Sequence, residues 1–188
     1  MILLAHPFER SFCHAIAGAA AQGFTNAGHQ ASLHDLYAEG VDPLLTGAEI
    51  ARRYSLDEQI QAYTDELVAC DYLVFVHPDW WSAPPALLKG WLERVFRPGI
   101  AYDWEGEEFE EKHHVALLAG KRAAVFVTTD RTEDELPQPI PGFWNDVADY
   151  SGLTLERCTI YPDLRHSGHR QRRNWLTGVR DWTGEIAS

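Results

Sequence analysis

Residues 72–96 read YLVFVHPDWWSAPPALLKGWLERVF, and they decide the fold. Tyr72 to Val76 is an unbroken apolar run. A strand with one wet face alternates apolar and polar residues, so this run predicts a central parallel strand covered on both faces. Pro84 and Pro85 then open a helix to about Phe96, because proline suits a first helical turn, where its missing N–H has no partner to lose. The loop between them carries two tryptophans and three of the ten prolines, which makes it stiff and aromatic.

Outward from this unit, apolar runs alternate with helical patterns, the signature of βαβ units. Ile2 to Ala5 predicts strand one. Ser11 to about Ala27 predicts helix one, with Phe12, Ile16, Ala20 and Phe24 on one face and Gly28 as its stop. Gln30 to Leu36 is a more polar strand, nearer an edge. Thr46-Gly-Ala-Glu49 and Ser55-Leu-Asp-Glu58 are both capping-box patterns, the second opening a helix to about Ala69. Residues 97–120 read as irregular. Arg122 to Val127 predicts strand four, 128–141 a loop, Gly142 to Tyr150 a short helix, Thr154 to Tyr161 strand five, and His169 to about Trp182 a closing helix. Five strands alternating with helices imply an α/β doubly wound sheet of order 2-1-3-4-5, with a ligand site outside the carboxyl ends of strands one, three and four.

The 188 residues imply one domain over 1–188, long enough to bury a core without staples. Sixteen Lys and Arg against twenty-eight Asp and Glu give a net charge of −12, which excludes general affinity for nucleic acid or anionic lipid. Three widely spaced cysteines, Cys13, Cys70 and Cys158, suit a reducing compartment and show no zinc spacing. No run approaches the ~20 apolar residues of a membrane span, and Met1 to Ala5 lacks the basic flank of a signal peptide. A cytoplasmic protein without membrane insertion is the expectation.

Three loops fall at the predicted site. Ala5 to Phe12 leads into helix one, whose unpaired N–H groups and positive dipole end suit a phosphate; Ser11 and His6 add donors. Ser11 acting only as a cap is the competing reading, and no GxGxxG is present. His77 to Pro85 offers an aromatic wall for a flat heteroaromatic ligand, or a cover for the sheet end. Thr128-Thr129-Asp130-Arg131 faces the same crevice, or is an ordinary turn.

Together these loops resemble the flavodoxin-like NAD(P)H:quinone oxidoreductases. The likeness is carried by VHPDWWSAPPALLKGWLERVFRPGIAY (Val76 to Tyr102), by Ala5-His6 with Ser11-Phe12, and by Asp35-Leu36-Tyr37. His77-Pro78 and Ser82 to Pro85 look most like the ancillary flavoprotein of glutathione-gated potassium efflux systems. The resemblance implies a flavodoxin-like five-stranded parallel sheet with helices on both faces, and FMN, or FAD, with NAD(P)H as electron donor. His6, Ser11, Phe12 and Cys13 would lie at the phosphate. Pro78, Asp79, Trp80, Trp81 and Ser82 would line the isoalloxazine, with Thr128 and Thr129 at its pyrimidine edge. Tyr102 and Trp104 match aromatic positions of a partner subunit's substrate pocket, so a homodimer is implied. The implied reaction is reduction of quinones or similar flat small-molecule acceptors. The alternatives are a regulatory subunit of a potassium efflux transporter, or a flavodoxin-like protein that has lost flavin and binds another ligand or partner. Where the family has Thr-Thr-Gly-Gly, this chain has Thr128-Thr129-Asp130-Arg131. Either the loop swings outward, or Arg131 fills the pocket.

The remaining motifs carry less. Asp103 to Glu111 holds six acids in nine residues and reads as a solvated loop. The neighbours His113 and His114 point apart, against a metal site. Arg165, His166, His169, Arg170, Arg172 and Arg173 form one basic cluster that pairs with the acidic surface, or contacts an adenylate. No nucleophile motif of a hydrolase is present.

Overall fold

The computed structural model describes residues 1–106 and 111–186. Its main sheet has five parallel strands: β1 (Ile2–Leu4), β2 (Leu33–Asp35), β3 (Tyr72–Pro78), β6 (Arg122–Thr128) and β7 (Thr154–Tyr161). They lie in the order β2-β1-β3-β6-β7. With the small ribbon strands β4 (Tyr102–Glu105) and β5 (His113–Ala116) left out of the count, this is the expected 2-1-3-4-5.

The apolar run that identified β3 divides between two cores, as the period of two requires. Leu73 and Phe75 pack with Trp91, Val125 and Trp144 on one face. Tyr72, Val74 and Val76 pack with Ile16, Phe126 and Val179 on the other. The first face is covered by α3 (Glu58–Ala69), α4 (Ala86–Val95) and α5 (Pro139–Ser151); the second by α1 (Phe12–Asn26) and α6 (His169–Ile186). Helices α1 and α6 cross so closely that a Cβ on Gly23 would collide with Thr183 and the Arg180 carbonyl.

Several boundaries differ from expectation. Residues 97–120 are not irregular throughout. Tyr102–Glu105 (β4) and His113–Ala116 (β5) form an antiparallel ribbon, with Tyr102 opposite Ala116 and Trp104 opposite His114. On one of its sides His114 meets Tyr102, Trp104 and Tyr150, with ring centroids 6.0, 5.7 and 4.1 Å away. The high charge of this segment hid that alternation. Part of the acidic run, 107–110, lies outside the described residues. Strand β2, paired only with β1, is shorter than the expected 30–36. Helix α5 starts at Pro139, before Gly142, because proline is tolerated in a first turn. Helix α6 continues past Trp182 to Ile186.

The Thr46–Glu49 capping box is present and opens α2 (Gly47–Arg52). Ser55, however, does not cap α3. Asp57 does, accepting from the Gln59 and Ile60 amides. Ser55 Oγ instead donates to Glu49 Oε1 at 2.7 Å. Glu49 is thereby part of a buried charge cluster around Arg94 of α4. The Arg94 guanidinium reaches Glu49 Oε1 at 2.8 and 3.1 Å, Asp57 Oδ2 at 3.1 Å and the Asp42 carbonyl at 2.8 Å. This cluster ties α4, and so the end of the aromatic loop, to the segment before α3.

Candidate functional site

The strand register brings Leu4, Val76 and Phe126 level, so the loops after β1, β3 and β6 open at one end of the sheet. They enclose a cleft of about 490 Å³. His6, Pro78, Asp79, Trp80, Trp81, Thr128 and Thr129 line it, together with Asp130, Arg131, Glu135 and Leu164. The first seven were singled out by sequence, and the fold brings them together. Glu135 and Leu164 were not. Glu135 sits in a capping box with Thr132, whose S/T-x-x-E spacing was legible. Leu164 arrives through its amide bond to the Thr129 carbonyl, which leaves no local mark.

Of the phosphate-loop residues, His6 lines the cleft, while Ser11, Phe12 and Cys13 stand beside it. Ser11 is the N-cap of α1 and accepts from the His14 amide. Its hydroxyl also lies 2.8 Å from His14 Nδ1, while His14 Nε2 lies 2.9 Å from Asp35 Oδ2. With Nε2–H donating to the carboxylate, Nδ1 is left to accept the Ser11 O–H. Phe12 packs its ring on Tyr161 and Trp175. Cys13 is buried, its thiol 3.2 Å from the Thr128 hydroxyl, and burial pushes its pKa up to about 12. What Phe12 and Cys13 offer a ligand is therefore first-turn backbone N–H, which has no intrahelical acceptor. His6 Nδ1 accepts from the Phe8 amide at 3.1 Å, so the neutral ring carries its proton on Nε2. Burial, aided by the nearby His14, lowers the His6 pKa and favours that neutral form.

The aromatic loop holds an unusual turn. Trp80 and Ala83 exchange both backbone hydrogen bonds at 3.2 Å, and the two residues between them, Trp81 and Ser82, both have φ of 59°. This is the left-handed pairing of a type I′ turn, a conformation that usually requires Asn or Gly. Trp81 at its tip is 98% exposed. Beneath the loop, His77 is fully buried. Its Nδ1–H donates to the Pro78 carbonyl at 2.9 Å and its Nε2 accepts from Trp144 Nε1–H at 3.0 Å. Burial holds its pKa down to about 4, against the opposing Pro78 bond and Asp79 charge.

Asp130 and Arg131 part company. Asp130 pairs outward with Arg165 at 3.0 Å. The Arg131 side chain reaches back to the loop after β3, its Nε 3.1 Å from Asp79 Oδ2 and its Nη2 donating to Ser82 Oγ at 3.0 Å. The rest of the basic cluster includes His166 on Asp163, and Arg172 on Ser167 and the Leu164 carbonyl.

Tyr102 and Trp104 do not reach this cleft within one chain. Tyr102 instead lines a groove of about 350 Å³ between α4 and α5, with Leu92, Phe96, Phe143 and Tyr150. Trp104 is half exposed on the ribbon. His113 is exposed, and among the described residues no His, Cys, Asp or Glu group is arranged to hold a metal.

Comparison with known proteins agrees with this architecture. A family model described as the flavodoxin-like fold matches residues 1–160. An uncharacterized NAD(P)H oxidoreductase of Haemophilus influenzae is 35% identical over 138 residues, covering 72% of this chain and 66% of its own. The chain spans less than two thirds of the length of the curated relatives it matches. Among solved structures, Smu.1420 of Streptococcus mutans superposes with a TM-score of 0.84 at 26% identity, covering 99% of this chain and all of that one. An NAD(P)H:quinone oxidoreductase of Methanothermobacter marburgensis reaches 0.77 at 26% identity, covering 100% and 96%. The chain belongs to the flavodoxin-like family, in the company of proteins named NAD(P)H oxidoreductases and quinone reductases.

Proposed function

We propose that the chain, as a single flavodoxin-like domain, is a cytoplasmic NAD(P)H oxidoreductase that uses FMN, or FAD, to reduce quinones or similar flat acceptors. The observation that carries this is the cleft at the carboxyl ends of β1, β3 and β6, where the open N-terminus of α1 adjoins two exposed indoles. Its residues fit a flavin. The volume lies in the range of small-molecule sites, about 300–1,000 Å³. The first-turn amides of α1 and His6 Nε2–H are donors for a phosphate. Pro78, Trp80 and Trp81 give a planar ring an apolar face to pack on. A bound flavin supplies hydride transfer from the nicotinamide to the acceptor.

The chain's own residues bind, orient and shield. Trp80 and Trp81 exclude water from the face they cover. Arg131 balances the Asp79 carboxylate beside the ring position. The names of the relatives, uncharacterized NAD(P)H oxidoreductase and NAD(P)H dehydrogenase (quinone) 1, support the choice of donor and acceptor. The apolar groove between α4 and α5 supports a homodimer in which Tyr102 and Trp104 meet the partner's cleft. No helix among the described residues is long and apolar enough to cross a membrane. A second reading, a subunit regulating a potassium efflux transporter, rests on the loop from His77 to Pro85 and would show as co-purification with a membrane protein.

Ser11→Asp tests the phosphate end. A carboxylate at the α1 N-cap still caps the helix but repels a phosphate. FMN affinity should fall by roughly tenfold or more while the far-UV circular dichroism stays native. Unchanged FMN affinity overturns this placement of the phosphate.

A further inference from the structure

We propose that Arg131 and Asp79 form a side-chain clamp that holds the left-handed Trp81–Ser82 turn, and with it the Trp81 indole, in place as a wall of the cleft. Arg131 is on this account a positioning residue for the ligand ring. The inference rests on the flavin reading for its functional half alone; the clamp itself rests on geometry.

The turn needs holding. Trp81 and Ser82 both sit at φ of 59° without being glycine, and each non-glycine residue there is strained by its own Cβ. Strain of this kind persists only where surrounding contacts over-determine the conformation. Those contacts converge on one carboxylate. Asp79 Oδ1 accepts the Ser82 amide at 2.8 Å. Its Oδ2 accepts the Thr129 hydroxyl at 2.9 Å and lies 3.1 Å from Arg131 Nε. The Asp79 side chain is 3% exposed, so it cannot take these bonds from water instead. Arg131 closes the loop by donating from Nη2 to Ser82 Oγ at 3.0 Å. One guanidinium thus grips both the acid that binds the turn's backbone and the turn's own side chain. It also joins the loop after β6 to the loop after β3, the two walls of the cleft.

The same contacts explain why a bulky cation is accommodated where the family resemblance places glycine. The side chain lies along the wall, spent on Asp79 and Ser82. Without Arg131, Asp79 would be a nearly buried carboxylate lacking its counter-charge, and the turn would relax toward conformations its residues prefer.

The test uses Arg131→Ala, Arg131→Lys and the double variant Arg131→Ala with Ser82→Gly. Amide hydrogen exchange over residues 79–83 is measured in ligand-free protein, and FMN affinity and quenching of FMN fluorescence are measured beside it. Arg131→Ala should speed exchange at these amides by roughly tenfold or more, the factor expected for losing a charge-assisted pair of bonds. FMN should bind more weakly and be less quenched. Arg131→Lys, which keeps the charge but not the two-pronged grip, should fall between. Ser82→Gly adopts positive φ without strain and should restore much of the protection lost in Arg131→Ala. Exchange unchanged in Arg131→Ala overturns the clamp; tighter FMN binding in that variant overturns the positioning role and makes Arg131 an obstruction. If the wild type takes up neither FMN nor FAD, the flavin reading fails, and the exchange measurement still decides the clamp.

Discussion

Lowering the pH should weaken this protein through His77 in a way that one substitution isolates. The ring is buried between the Pro78 carbonyl and Trp144, and its Nε2 must stay unprotonated to accept the indole N–H. Burial depresses the folded pKa from 6.5 to about 4. The unfolded chain therefore binds the proton first. The contribution is complete above pH 6.5 and is lost as the pH falls towards 4. Each unit of pH in that window is worth about 1.36 kcal/mol, so by pH ~4.5 His77 alone removes about 2–3 kcal/mol. That is a large share of a typical stability of roughly 5–15 kcal/mol. Urea unfolding at about pH 7 and about pH 4.5, on the wild type and on His77→Gln, measures it. Glutamine does not titrate, and every other group is common to both proteins. The wild type should lose about 2–3 kcal/mol more than the variant between the two conditions. Equal losses would refute the picture of a neutral histidine locked beneath the aromatic loop.

Arg94→Met should destabilise the fold by ~3–5 kcal/mol in the same assay, because it strands the buried Glu49 carboxylate. Burial alone would raise the Glu49 pKa, but bonds from Ser55, the Thr46 amide and Arg94 outweigh it and hold the value at about 2. Its stabilisation is therefore present above its ordinary 4.5 and lost as the pH falls from 4.5 towards 2, so Glu49→Gln should flatten that part of the acid-stability curve. Cys13, buried with its thiol pushed up to about 12, should resist alkylation in the native protein at mildly alkaline pH and react once urea unfolds it; mass spectrometry of the labelled peptides reads this.

The sheet order and the cleft's place were legible because they depend on local patterns. The apolar run of β3 and the helix opened by Pro84 and Pro85 each leave a mark within a few residues. The features that escaped are long-range or conformational. His77 meets Trp144 sixty-seven residues away, and Asp79 meets Arg131 across two loops. No spacing rule announces either. The left-handed Trp81–Ser82 turn contradicts turn statistics outright, since its stabilising acceptor comes from Asp79 rather than from its own residues. The β4–β5 ribbon was missed because its charge resembles a solvated loop. Ser55 carried a capping pattern that Asp57 took over when Ser55 was drawn to Glu49. At the site, Tyr102 and Trp104 could be named only through the resemblance, which placed them at a partner's pocket, and within one chain they lie outside the cleft lining.

The most direct test of the central claim is the visible absorption spectrum of the protein purified in the presence of FMN or FAD, recorded before and after anaerobic addition of NAD(P)H and then of a quinone. The account predicts a yellow protein whose flavin bands bleach with NAD(P)H and return with the quinone. A colourless protein that takes up neither flavin on titration would contradict it.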